Sequence, residues 1–265
     1  MAFEPWVIYG DDNRHEVYAE PSRARRQAAL STVALVPKKL VRKSGSHYRL
    51  VSESYRESYN LCAGEPFANQ RVVSECSAFL VAPDTVVTAG HCIYDEASCK
   101  NYKFVFDYAY LPNEPRTVPA SSVYSCRSVV HTEVNPGSDF AVVRLNRPVT
   151  DRAPVQVRMS GAVAVGDPLY VVGYPAGLPA KISGGARVRS VDERGFILAN
   201  LDTYGGNSGS AVFNDANDQV EGILVEGEAD FVMKGNCMVS NRCADDACIG
   251  ESLTPMSVVL PYLRR

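Results

Sequence analysis

Short apolar runs rich in β-branched residues, each closed by a glycine, proline or aspartate, constrain this chain more than any other feature. In the first half they fall at 31–36, 79–81, 85–88, 102–106 and 140–145. In the second half they fall at 169–172, 186–191, 196–201, 210–213 and 220–226. Tyr102, Phe104 and Phe106 alternate with Lys103 and Val105, the period of two that marks a half-buried strand. Helical periodicity is almost absent, so the pattern predicts an all-β barrel or sandwich. Asn146-Arg147-Pro148 breaks the first set of runs, and 148–161, with Pro148 and Pro154, reads as a bridge between two halves. One helix is expected at the C-terminus, over 257–265, with Thr254 as its N-cap and Pro255 at its first position. Residues 21–29 read as a short helical turn or a loop. Lys38, Lys39, Arg42 and Lys43, with Gly45, read as an exposed hairpin, either a solvated edge or a surface for an anionic partner.

Three of the junctions between runs carry chemistry. Gly205-Gly206-Asn207-Ser208-Gly209-Ser210 places a serine between glycines. A serine hydroxyl becomes a nucleophile only when a base removes its proton and donors receive the oxyanion. Glycines before it let the backbone turn sharply, so that N–H groups converge on one point. Thr88-Ala89-Gly90-His91-Cys92 supplies a histidine where a β-branched run ends, and Ser138-Asp139 supplies an aspartate at the head of another. Singly, each has a structural explanation: a polar turn, a core histidine, a turn cap. His15, His47 and His131 have no motif around them and read as surface residues.

Taken together and in the order His91, Asp139, Ser208, these motifs resemble the trypsin/chymotrypsin superfamily of serine peptidases. The start Val7-Ile8 and Gly173-Tyr174-Pro175 are similar to its bacterial glutamyl-endopeptidase branch. The resemblance implies two antiparallel six-stranded β-barrels with a short C-terminal helix. An N-terminal arm would cover 1–30, with 1–6 as a possible propeptide remnant. The first barrel, 31–150, would carry His91 and Asp139; the second, 151–265, would carry Ser208. It also implies a peptide-hydrolysing enzyme with an oxyanion hole formed by the N–H groups of Gly206 and Ser208. A catalytically silent binding module of the same fold is the rival reading, and the intact His91, Asp139, Ser208 and Gly206 argue against it. Asn207 departs from the animal pattern, in which an aspartate pairs with a freshly cut N-terminus; here the hole is preformed or activation differs.

Substrate preference is less constrained. By resemblance, Asp202 stands where trypsin-like enzymes place the acidic base of their specificity pocket, which implies cleavage after Arg or Lys. A structural turn at Asp202-Thr203 is the alternative. Thr203 matches the pocket hydroxyl of glutamyl endopeptidases, but Leu224 stands where they have a pocket histidine. Val225, Glu226 and Gly227 would form the edge that pairs with the substrate backbone.

The remaining expectations concern compartment and partners. The 265 residues suit one or two domains, and a net charge of −3 gives no sign of nucleic-acid or membrane-surface binding. No apolar run approaches a membrane span. Eight cysteines point to an oxidising compartment, so a secreted protein is expected, extracellular or periplasmic. By resemblance, Cys76 and Cys92 bridge strands beside the histidine; Cys99 and Cys126 flank one strand-rich segment and form a second candidate pair. The spacing of Cys237, Cys243 and Cys248 argues against zinc. The expected partner is a polypeptide substrate, with no metal or cofactor, and the expected state is a monomer.

Overall fold

The structure, a computed structural model, describes residues 7–110 and 115–263. The possible propeptide remnant at 1–6 lies outside them. Six strands close the first barrel in the order Tyr102–Val105, Val123–Asn135, Ser138–Leu145, Thr85–Thr88, Cys76–Ala82 and Thr32–Pro37, the last pairing back to the first. A second sheet runs Pro168–Gly173, Ala211–Asn214, Val220–Glu226, Glu251–Pro255, Ile197–Ala199 and Lys181–Val191, and closes through the pairing of its first and last strands. The chain is therefore two six-stranded antiparallel barrels with a short C-terminal helix.

Closure explains why the runs are continuous rather than strictly alternating. Seven of the eight residues of Ser138–Leu145 are buried, because one face fills the barrel and the other packs outward against the rest of the fold. Phe79, Phe104, Phe140 and Phe213 are buried almost completely. Each such side chain contributes about 2–3 kcal/mol relative to exposure. One apolar cluster runs from Val33 and Phe140 through Tyr174 to Phe213 and Ile223, so the barrels share a core.

Residues 147–167 contain no strand, as befits a bridge, and their backbone docks on both barrels: Val155 donates to Leu80 O and Arg158 to Val220 O. The arm belongs to the second barrel, because Arg14–Glu16 adds antiparallel to Lys181, Ile182 and Ser183. Ser22 caps a true helix over Arg23–Leu30 by accepting from Arg25 N–H. The basic segment forms the hairpin Val41–Ser44 and His47–Leu50.

Two local readings are corrected. The C-terminal helix begins at Met256, and Thr254 does not cap it. Thr254 and Pro255 end the preceding strand, and the Thr254 hydroxyl is exchanged with the backbone of Asp139 instead. His131 is not a plain surface residue: its ring stacks on Tyr262 of the C-terminal helix at 3.8 Å and its Nε2 lies 3.0 Å from a Glu133 carboxylate oxygen, which accepts.

Candidate active site

Asp139 heads the Ser138–Leu145 strand and faces the loop that leaves Thr85–Thr88. Its two carboxylate oxygens divide between backbone and ring: His91 N–H donates to Oδ1 at 3.0 Å, and His91 Nδ1 lies 2.6 Å from Oδ2. Asp139 is buried, whereas the His91 side chain is 37% exposed. A carboxylate at Nδ1 holds the proton there, so Nε2 is left as the basic nitrogen on the open side.

Ser208 comes from the second barrel and is locked against the first. Its carbonyl accepts from Ser77 N–H at 2.8 Å, and Cys92 Sγ lies 3.8 Å from the same oxygen. Cys92 follows His91, so the serine loop abuts the histidine loop. The Ser77 hydroxyl donates to Gly206 O and accepts from Tyr174 N–H, which fixes the turn before the serine. Gly206 has φ +96°, a conformation that disfavours any side chain. Among the described residues, neither the Gly206 nor the Ser208 N–H has a protein acceptor, while Asn207, Gly209 and Ser210 all do. Two unused donors flanking a serine are what an oxyanion needs. Asn207 is buried, and its Oδ1 accepts from the Ser210 hydroxyl, an internal partner in place of an N-terminal ammonium.

Cysteines pair as Cys62–Cys237, Cys76–Cys92, Cys99–Cys126 and Cys243–Cys248. The sulfurs of Cys76 and Cys92 lie near a His91 nitrogen, but as a disulfide they offer no thiolate to a metal.

More than half of the chain, residues 76–223, matches the sequence pattern of the trypsin-like peptidase domain. The chain belongs to the trypsin-like peptidase family. A glutamyl endopeptidase of Bacillus licheniformis is 29% identical to this trypsin-like peptidase over 156 residues, 56% of the chain. That match spans 48% of the relative's length. Solved structures agree on the fold. A Glu endopeptidase in complex with MPD superposes with a TM-score of 0.58 at 16% identity, covering 97% of this chain and 98% of the other. The VesB protease of Vibrio cholerae gives 0.58 at 14% identity, covering 97% and 66%. A serine endoprotease of Yersinia pestis gives 0.55 at 14%, covering 92% and 66%.

Of the residues expected around a specificity pocket in this trypsin-like peptidase, Asp202 is the one engaged elsewhere. The Asp202 carboxylate is engaged by the N-terminal arm. Its Oδ1 accepts from Tyr9 N–H and its Oδ2 from Asn13 N–H, both at 2.8 Å. The carboxylate ties the N-terminal arm to the serine loop, and burial raises it to a pKa of about 6. Both oxygens are thereby occupied by backbone donors of the arm, which favours the structural-turn alternative for Asp202.

Thr203 and Gly227 converge on a residue the motifs did not reveal, Glu251. Thr203 Oγ1 donates to Glu251 Oε2 at 2.6 Å. Val225 is buried at a register shift in the pairing of Val220–Glu226 with Glu251–Pro255. Gly227 leaves room for the Glu251 carboxylate: a Cβ there would lie 2.1 Å from Oε2. Glu228 N–H donates to Oε1 at 3.4 Å. Glu251 is fully buried, makes no ion pair with another described residue, and burial drives its pKa well above the usual carboxylate range. Burial, and after it the charges of Glu251 and Glu228, raise the pKa of the Tyr9 hydroxyl. Asp230, whose carboxylate accepts from Gly205 N–H, is pushed up by burial to about 8. The signal in the sequence was a lone acid, Glu251, between Gly250 and the apolar end of a strand.

Proposed function

We propose that this chain is a secreted serine endopeptidase that hydrolyses peptide bonds through His91, Asp139 and Ser208. The observation that carries the proposal is the His91–Asp139 pair at 2.6 Å set against a serine loop with two unused N–H donors. Ser208 Oγ attacks the scissile carbonyl as His91 Nε2 takes its proton. The N–H groups of Gly206 and Ser208 receive the oxyanion, each donor contributing about 3 kcal/mol. His91 then protonates the leaving amine, which departs and leaves the acyl chain on Ser208. Water, deprotonated by His91, releases the acid and restores the serine. Four disulfides suit an oxidising compartment, and no helix of the described residues is long and apolar enough to cross a membrane.

For the residue before the scissile bond, the acidic surroundings of Thr203 and Gly227 support Arg or Lys, with Glu251 as the receiving carboxylate in place of Asp202. A buried carboxyl with no counter-ion gains most from a cation brought by substrate. A second reading, preference for Glu, draws on the relative named a glutamyl endopeptidase. Protonated Glu251 would donate to a substrate carboxylate, so that preference would fade as pH rises; preference for Arg or Lys would grow. The test is a cleavage-site profile on a peptide library at pH 6 and pH 9, together with labelling by a fluorophosphonate probe. Labelling that Ser208→Ala abolishes supports the mechanism. Absence of labelling in the wild type would refute it.

A further inference from the structure

A groove of about 700 Å³ lies on the first barrel, away from the residues of the serine loop. Lys38, Lys39, Arg42 and Lys103 line it, and Glu75 is its one acid. The Glu75 carboxylate is engaged by the Tyr102 hydroxyl at 2.7 Å. None of the four cations makes an ion pair with another described residue, and Lys38, Lys39 and Arg42 are exposed. Lys103 is partly buried; its ammonium donates to Ser125 Oγ, and burial together with the Lys38 charge lowers its pKa. From residue 37 to residue 52 the chain holds five Lys or Arg and no Asp or Glu, within a protein whose net charge is −3. The positive field is therefore local and uncompensated.

Two further observations decide what kind of anion fits. Val41–Ser44 is an edge of the three-stranded sheet that continues through His47–Leu50 to Thr117–Pro119. Val41 N–H donates to Lys38 O, but beyond it the other backbone edge, over residues 42–44, has no partner among the described residues, and Val41 and Arg42 line the groove. An open edge offers N–H and C=O groups to an extended chain, which a phosphate or a sugar cannot use. In addition, Glu75 precedes Cys76, whose disulfide partner Cys92 follows His91. The groove wall at Glu75 is thus joined to the histidine loop through one disulfide.

We propose that this groove binds an extended acidic peptide segment, paired through its backbone to the Val41–Ser44 edge and held through its carboxylates by Lys38, Lys39, Arg42 and Lys103. In the endopeptidase reading this segment belongs to the substrate, which the groove selects by charge at a distance from the scissile bond. Binding itself needs no turnover, so it stands apart from the catalytic proposal.

The test uses the Ser208→Ala protein and a fluorescein-labelled ten-residue glutamate peptide, followed by anisotropy. Saturable binding is expected, weakened at least about tenfold by the Lys38→Glu/Arg42→Glu pair and by raising salt from 50 to 300 mM. A copy of the peptide N-methylated at alternate residues should also bind at least about tenfold more weakly, because it cannot complete the edge pairing. On a Ser208 background, the paired substitutions should leave hydrolysis of a short neutral substrate unchanged. If the double variant fails to fold, the exposed Lys39→Glu alone should weaken binding several-fold. Binding that none of these substitutions weakens, or no binding at low salt, would overturn the proposal. A sulfated polysaccharide or inorganic phosphate that binds as tightly as the peptide, with no penalty for N-methylation, would overturn it in favour of simple anion attraction.

Discussion

Glu251 and Asp202 are two buried carboxyls of the second barrel with opposite fates. Asp202 satisfies both oxygens with backbone donors from the arm. Glu251 receives one hydroxyl at 2.6 Å and one distant N–H. The two residues should therefore separate in mutagenesis. Glu251→Gln keeps the shape and removes the charge. It should lower kcat/KM for Arg and Lys substrates by about 10²-fold while changing apolar substrates little, as expected when one charged partner of a desolvated pair is lost. Asp202→Ala should instead leave the cleavage profile unchanged and lower the melting temperature, since two backbone N–H groups lose acceptors at a cost of about 1–3 kcal/mol each. A cleavage profile redirected by Asp202→Ala but not by Glu251→Gln would return the specificity role to Asp202.

At the scale of elements, the site is a set of strand ends brought together by two closures and one disulfide. Cys76 opens the strand Cys76–Ala82, and Cys92 ends the histidine loop, sixteen residues on. Closing a loop of this length contributes about 3 kcal/mol in the chain-entropy view. Replacing both with serine should lower stability by that order. It should also reduce turnover more than it raises KM, because Cys92 touches the Ser208 carbonyl and its loss loosens the contact between the two loops. Equal turnover in the double-serine protein, measured well below its melting temperature, would limit the bridge to stability. The strands and the triad candidates were legible because each rests on local pattern: a β-branched run, a glycine turn, a residue at a run's end. Glu251 was not legible, since its meaning lies in the absence of a Cβ at Gly227, twenty-four residues earlier in the chain. The arm's hold on Asp202 was equally hidden, because it joins residues 9 and 13 to residue 202. Thr254 misled for a related reason: a Thr-Pro pair reads as a helix start, yet the hydroxyl found a tertiary partner in Asp139.

The whole molecule carries its charge unevenly, with unpaired cations on the first barrel and unpaired acids buried in the second, and the second has a thermodynamic consequence. Asp202, Asp230 and Glu251 all have carboxyls raised by burial, to about 6, about 8 and well above the usual range. The native protein therefore holds protons that the unfolded chain releases near pH 4. Below that pH both forms are protonated and the contribution to stability is fully present. As pH rises from about 4 towards about 8, the unfolded chain gains the advantage of ionising and stability is lost. Lys181, lowered by burial to about 8, acts in the other direction only above that value, because its native form is then neutral while the unfolded amine is still charged. Asp230→Asn isolates one member of the acidic set, and asparagine can still accept from Gly205 N–H through its carbonyl oxygen. Near pH 4 the variant and the wild type should melt within about a degree of each other. By pH 8 the variant should melt roughly 3–6 °C higher, because the unfolded wild-type chain gains from ionising an acid that the native protein keeps protonated. Calorimetry at four or five pH values between 4 and 9 measures the difference directly. A difference that stays flat across that range would mean Asp230 ionises normally in the folded protein, and would remove it from the acidic set beneath the serine loop.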